Sequence, residues 1–327
     1  MAGADEHLAL IMDVDTGVDD CIALLYALGA PQVELLAVTC VAGNVREPQV
    51  EANTLAVLEL CGAGDVEVAG GALGPLVVGL RTATGHGPQG LGYATLPAAQ
   101  ASVSPRFAPD LFVEEARRRP GEIVLVATGP LTNVALAVRR DPELPQLLRR
   151  LVVMGGAFDY SGNTTPTAEF NIWVDPEAAK VVFEAFSSAG RKPLICGLNV
   201  TERTEFRPEH LERLAGLAGG GSNPIVSLIS DSLRFSMEAH ESYGQGYVAF
   251  MHDPLAVAAA LDDSFGERRA GTVDVELSGG LTRAMTVVDW YGLWGRPPNA
   301  EILVDLDAEG FVRLLVERLA TLAAGRG

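Results

Sequence analysis

Lysine is nearly absent from this 327-residue chain: Lys180 and Lys192 are the only two among its 24 Lys+Arg. Against 42 Asp+Glu, these cations leave a formal net charge of −18. Gripping a nucleic-acid backbone takes a basic face, because phosphate neutralisation supplies most of the binding, and no run of cations forms one here. Anionic membrane surfaces are disfavoured as partners for the same reason. No apolar run approaches the roughly 18 residues of a membrane span. Cysteine is scarce too. Cys21, Cys40, Cys61 and Cys196 lie scattered in apolar stretches, with no CxxC pair and no histidine spaced for zinc, and they read as small buried thiols in a reducing compartment. Between Met1 and Leu10, Asp5 and Glu6 stand where a secretory signal would be basic, so a cytoplasmic location is expected. What the chain does have is a hydrophobic content of 48%, ample for a packed core and too high for disorder.

The apolar runs alternate in type. LALIMDV (8–14) is short and continuous, as a buried parallel strand should be. Further strands are expected at 33–41, 66–70, 122–128, 151–156 and 193–198, with helices at 19–28, from Pro48 to about Cys61, and near 109–119, 131–140 and 175–187. The last third reads as helical from Pro208 to Leu261, followed by strands near 272–277, 284–288 and 301–305 and a closing helix over 308–323. This alternation predicts an α/β fold: one large domain spanning 1–327, with a mostly parallel central sheet covered by helices on both faces. Two polar, glycine-containing stretches, 71–108 and 156–172, interrupt the rhythm and read as functional loops.

DVDTGVDD (13–20) is the strongest chemical signal, with four aspartates in eight residues. Asp13 and Asp15 fall where the first strand ends, Gly17 permits a tight turn, and Asp19 and Asp20 open the next helix. Ligands of open α/β sheets bind just beyond the carboxyl ends of the strands. Four carboxylates converging there repel one another unless a hard cation or a hydroxyl-rich ligand shares them. An N-cap role accounts for one of Asp19 and Asp20, not for all four. Other strand ends add Asn44 in VAGN, Thr128 in ATGPLTN and Met154 before two glycines. HDP (252–254) sets an imidazole beside a carboxylate at a helix start. In AEFNI (168–172), Glu169 and Asn171 point to one side of an extended backbone, with Asn163 and Thr164 just upstream, a set suited to a polyhydroxylated ligand.

Together these motifs resemble the nucleoside hydrolase family, of the inosine–uridine-preferring type of nucleoside N-ribohydrolase. The resemblance runs from DVDTGVDD through VAGN, ATGPLTN, VVMGGAF and AEFNIWVDPEAA to HDP. It implies hydrolysis of the N-glycosidic bond of a ribonucleoside to ribose and free base, with calcium at the acidic cluster and a water on it attacking the ribose C1′. It further implies Asp15 as calcium ligand and general base, and Asp20, Asp253 and the Thr128 carbonyl as further ligands. Asp19, Asn163, Glu169 and Asn171 would hold the ribose, Asn44 the water or sugar, and Met154 and Phe170 would line the pocket. His252 would protonate the leaving base, and His86 in HGPQGLG (86–92) would sit on a mobile loop over the base. Where relatives commonly carry base-contacting tyrosines, this chain has Ser236 and His240, unless a gap brings Tyr243 or Tyr247 into reach, so base preference and the sharing of the acid role between His252 and His240 stay open. Relatives are often dimers or tetramers, which implies a homodimer or homotetramer.

Two rival readings differ in class. DVDTG also fits the DxDxT pattern of haloacid-dehalogenase-type phosphatases, which need a lysine near the phosphate and a late acidic pair; only Lys180, Lys192 and Asp262-Asp263 are available. The other rival is a non-catalytic calcium-dependent riboside-binding protein, for which a base and an acid such as Asp15 and His252 would be superfluous.

Overall fold

A computed structural model of the chain describes residues 7–220 and 222–325. The first stretch runs β1 (Leu8–Val14), α1 (Val18–Leu28), β2 (Val33–Cys40), α2 (Glu47–Leu60) and β3 (Glu67–Ala69). After an irregular segment come α3 (Ala108–Arg118), β4 (Val124–Ala127), α4 (Thr132–Arg140), α5 (Leu144–Leu147), β5 (Arg150–Met154), α6 (Phe170–Val174), α7 (Pro176–Ala185), β6 (Leu194–Cys196) and α8 (Leu198–Thr201). The remainder holds β7 (Glu205–Phe206), α9 (Pro208–Leu217), α10 (Pro224–Ser242), β8 (Ala249–Phe250), α11 (His252–Leu261), β9 (Glu267–Val275), β10 (Thr286–Asp289), β11 (Ala300–Asp305) and α12 (Ala308–Ala324).

Nine strands form one sheet in the order β10-β9-β11-β6-β5-β4-β1-β2-β3. All pairings from β3 across to β11 are parallel, and β9 is antiparallel to both β11 and β10. The expected α/β architecture is therefore what the chain adopts. Strand β1 shows how the sheet splits the core. Leu10, Met12 and Val14 pack into one buried cluster with α1 and α11, while Ala9 and Ile11 pack into a second with α3 and α4. Asp13 follows the odd-numbered set, and its carboxylate meets Thr39 Oγ1 at 2.7 Å and Asn133 Nδ2 at 2.8 Å. Because β1 pairs with β2 on one side and β4 on the other, the strand order reverses between β1 and β4. That reversal opens a crevice beyond their carboxyl ends.

The last third departs from the expected long helical run over 208–261. Three helices occupy it, and the breaks carry Gly219, Gly220, Gly244 and Gly246, all at positive φ, a backbone state that ends a right-handed helix. The strand expected at 272–277 begins instead at Glu267, because the polar run ERRAG pairs with β11 at the half-exposed side of the sheet. Of the two expected loops, 71–107 and 156–169 carry no helix or strand, while α3 begins at Ala108 and α6 at Phe170. All four cysteines are buried. No described helix is long and apolar enough to cross a membrane. Asp5 and Glu6 lie outside the described residues.

Candidate active site

The DVDTGVDD segment leaves β1 and turns into α1 in a space so tight that side chains are excluded at two positions. A Cβ at Gly17 would meet His86 Nδ1 at 2.5 Å and Asn44 Nδ2 at 2.6 Å, and one at Gly43 would meet Asp15 Oδ2 at 2.1 Å. Asp20, in the first turn of α1, anchors the loop. Its Oδ2 accepts the Gly17 N–H (2.9 Å) and Asn44 Nδ2 (3.2 Å), and its Oδ1 accepts the Thr128 hydroxyl (2.7 Å) and the Asp15 N–H (3.3 Å). The expected capping duty thus falls to Asp20 through the Gly17 N–H, while Asp19 is left facing the crevice. Asp15 Oδ2 accepts the Asn44 N–H at 2.7 Å, and its Oδ1 is buried with no hydrogen-bond partner. One oxygen each of Asp19, Asp20 and Asp253 lie within 4.8 Å of one another. This triad differs from the implied ligand set by including Asp19 and leaving Asp15 beside it.

Burial dominates the electrostatics. It pushes the Asp15 carboxyl well above the usual range, with Asp20's charge adding to it, and it does the same to Asp253, where Asp19, Asp20 and Asp15 all contribute. Asp19 rises to about 6 and Asp20 rises by burial and Asp19's charge. A cluster of this kind has chemistry to spare for a cation, which would return every carboxyl to its charged form.

Above the aspartates lies a cavity of about 130 Å³. Twelve of the fourteen expected site residues line it; Asp15 and Asp20 lie directly beneath, bonded to Asn44 and Thr128 of its floor. Glu169 and Asn171 reach it by a route other than the extended one expected. Glu169 is the N-cap of α6, its carboxylate accepting the N–H groups of Asn171 (2.8 Å), Ile172 (3.1 Å) and Gly156 (3.0 Å). Asn171 is already helical, because an acid at this position satisfies the free amides of a helix start and so begins one. Its side-chain amide donates to the Thr128 carbonyl at 2.6 Å and the Met154 carbonyl at 3.3 Å. Asn163 Oδ1 accepts the Phe170 N–H at 3.0 Å. Burial raises Glu169 to about 7.

Three histidines close the far side. His252 opens α11, with Nδ1 2.7 Å from the Thr201 hydroxyl, and burial pushes it down to about 3. His240, one turn from Ser236 on α10, sits 3.0 Å from the Val248 carbonyl and is also lowered by burial. His86 lines the cavity and is seated on the start of α1, its Nδ1 accepting the Val18 N–H at 3.0 Å. That bond makes Nδ1 the unprotonated nitrogen, and burial lowers this histidine as well. Ser236 and Tyr243 both line the cavity; Tyr247 packs against the core instead. Two contributors escaped the reading of the sequence. Phe250 stands between the histidines, its ring centroid 4.9 Å from that of His240 and 5.8 Å from that of His252. An aromatic two residues before HDP was the available signal. Thr201, 51 residues from His252, left none.

Residues 10–313 match the family model of the inosine-uridine preferring nucleoside hydrolases. The chain belongs to this family. It is 40% identical over 319 residues to the pyrimidine-specific ribonucleoside hydrolase RihA of Citrobacter koseri, across 97% of this chain and 99% of that one. The RihA of Salmonella arizonae is 41% identical, across 95% and 98%. Among solved structures, the purine-preferring ribonucleoside hydrolase from Gardnerella vaginalis superposes with a TM-score of 0.90 at 30% identity, covering 97% and 99%. The plant nucleoside hydrolase PpNRh1 gives 0.87 at 33%, covering 95% and 98%. As a nucleoside hydrolase, the chain cleaves the N-glycosidic bond of ribonucleosides to ribose and free base. The phosphatase reading falls with this, and for a visible reason. Lys180 is paired with Asp274 and Glu184, Lys192 lies at the opposite end of the sheet, and no described lysine lines the cavity.

Proposed function

We propose that this nucleoside hydrolase uses calcium and acts preferentially on pyrimidine ribonucleosides. The observation that carries the calcium reading is Asp15 Oδ1, a buried carboxylate oxygen with no hydrogen-bond partner, next to Asp20 and Asp253. A group like that is sustained by protonation or by a cation. Asp15, Asp20, Asp253 and the Thr128 carbonyl would hold the ion. All are hard oxygen donors, and the number of carboxylates favours calcium over magnesium once sugar hydroxyls join them. The Thr128 carbonyl gives one lone pair to Asn171 and keeps the other. When bound, the ion supplies positive charge that makes a neighbouring water more acidic and gives ribose hydroxyls an anchoring point.

The chain's own groups do the rest. Asp15, ionised once a cation shares the cluster, takes the proton of the attacking water. Asn44, which both holds Asp15 and touches Asp20, keeps that carboxylate aimed. Asp19, Asn163, Glu169 and Asn171 hold the ribose hydroxyls, and the surrounding negative charge stabilises the oxocarbenium character that develops as the bond opens. Met154 and Phe170 wall the sugar. His252 is neutral in the fold, so its N–H stabilises the charge developing on the departing base as a hydrogen-bond donor, and the base takes its proton from solvent; His240, His86 and Phe250 complete the base contacts. The pyrimidine preference rests on the RihA relatives, whose names state it and whose identity to this chain exceeds that of the purine-preferring structure. A cytoplasmic homodimer or homotetramer serving base salvage completes the reading, and cell fractionation with sedimentation tests that part.

Ribose release from uridine, cytidine, inosine and adenosine, with calcium and with a chelator, tests the whole. The expected result is release greatest from the pyrimidines and abolished by chelation. Chelator-resistant turnover removes calcium from the account, and a preference for inosine or adenosine removes the base assignment.

A further inference from the structure

A second cavity, of about 860 Å³, lies at the opposite end of the sheet from the aspartates. β1, β4 and β5 start at its wall, and Lys192 stands two residues before β6. A quarter of the chain's 24 Lys+Arg line it. Some are spent locally: Arg119 pairs with Glu34, and Arg150 with Asp263 and Glu301. That leaves Arg149, Arg191, Lys192 and Arg268 facing Glu122 alone.

These four are under-partnered in a chain with a large excess of acid. Among the described residues, the cations with neither a carboxylate within 4.0 Å nor an aromatic ring under them are Arg46, Arg139, Arg149, Arg191 and Lys192. Three of those five are in this one cavity. Arg191 and Lys192 reach only backbone carbonyls, of Arg149 for the first and of Ser187 and Ala189 for the second. The fourth, Arg268, has Asp263 no closer than 3.6 Å, and that carboxylate is already held by Arg150 at 2.5 Å. The Arg268 side chain is 15% exposed, and its Nε is buried without a hydrogen-bond partner. Arg150 in turn feels the like charge of Arg268.

Guanidinium and ammonium groups lining one cavity, with no carboxylate nearer to any of the four than the 3.6 Å from Asp263 to Arg268, suit a compact anion carrying more than one charge, and a phosphoryl group offers several strong acceptor oxygens to such a set. A long polyanion is excluded by the chain's net charge of −18, which repels it before contact. The cavity falls within the size range of small-molecule sites. We infer that the amino-end cavity binds a phosphate-bearing small molecule through Arg149, Arg191, Lys192 and Arg268. The group is either free inorganic phosphate or the phosphate of a nucleotide or sugar, and the site is separate from the nucleoside pocket.

The test is calorimetric titration of the calcium-loaded enzyme, freed of excess metal, with inorganic phosphate, ribose 5-phosphate and uridine 5′-monophosphate at matched ionic strength. Saturable binding of at least one is expected, weakened at least about tenfold in Arg191→Ala/Lys192→Ala, with kcat/KM for the nucleoside unchanged. Phosphate binding as tightly as the esters assigns free phosphate as the ligand; an ester binding tighter assigns a phosphorylated metabolite. Lys192→Ala alone, weakened less, serves if the double variant unfolds early. Absence of saturable heat from all three ligands overturns the inference, as does binding that both variants leave intact.

Discussion

At the carboxyl ends of the strands, four carboxylates from Asp15, Asp19, Asp20 and Asp253 crowd a cavity of about 130 Å³, while at the amino ends four under-partnered cations line one of about 860 Å³. Both sites draw on residues at strand ends and the turns next to them, so the sheet supplies the convergence and the loops supply the charge. They differ in how that charge is managed. The acidic end is closed: its oxygens are buried, its bonds run to backbone amides and to Thr128 and Asn44, and burial raises its carboxyls above their usual range. The basic end is more open, with Arg191 exposed at its wall. A buried cluster of like charge is informative because it is costly; a solvated one needs the further observation that its partners are missing.

The largest effect expected from disturbing the acidic end alone is the loss of Asp15. Asp15→Ala should lower kcat by at least about 10²–10⁴-fold, the usual worth of a general base, with calcium present in excess; activity within a few-fold of wild type would remove Asp15 from the base role. Asp253→Asn should raise the calcium concentration giving half-maximal activity by about 10–100-fold, with much of kcat restored at saturating metal, as read from a calcium titration of the initial rate. An unchanged midpoint would take Asp253 out of the ligand set.

Proton linkage gives a third, smaller effect. In the fold, burial holds Asp13 and Glu169 protonated up to about 7, whereas exposed carboxyls give up their protons near 3.8 and 4.5. Across that interval the folded state binds more protons than the unfolded chain, so the metal-free protein loses stability as pH rises from about 4 to 7. Calcium needs its carboxylate ligands ionised, so its gain in Tm should be larger at pH 8 than at pH 5. Equal gains at both, measured by calorimetry, would contradict the burial argument. The smallest effect is expected at Asp13, whose carboxylate serves Thr39 and Asn133. Asp13→Ala should cost about 1–3 kcal/mol of stability through those unpaired groups while leaving KM nearly unchanged.

Much of the acidic end was legible in the sequence because DVDTGVDD is contiguous: Asp15, Asp19 and Asp20 fall within six residues around one turn, although Asp13 is turned away to Thr39 and Asn133. VAGN, ATGPLTN and HDP were legible one level higher, since the alternation of strand and helix sends every strand's carboxyl end to one edge. Glu169 and Asn171 line the cavity, but not through the extended geometry expected of them. Alternate spacing suggests a strand, and what decided the matter was that the Glu169 carboxylate caps the amides following it. Thr201 and Phe250 depended on tertiary contacts that no local pattern announces. The basic cavity was invisible for the same reason. Arg149, the adjacent Arg191 and Lys192, and Arg268 come from three distant stretches of the chain, and in the sequence each stretch is only a pair of cations in an acidic chain. The glycine breaks at 219–220 and 244–246 were present in the sequence, yet the apolar periodicity around them outweighed the glycines.

The central claim is that the buried aspartates exist to hold one calcium ion on which turnover depends. Calorimetric titration of calcium into chelator-stripped protein, with ribose release from uridine followed on the same samples, tests it most directly. The account predicts one ion per chain, with activity returning in proportion to the bound ion and neither binding nor activity recovered in Asp20→Ala. Full activity in the stripped protein, or calcium binding that Asp20→Ala leaves untouched, would contradict it.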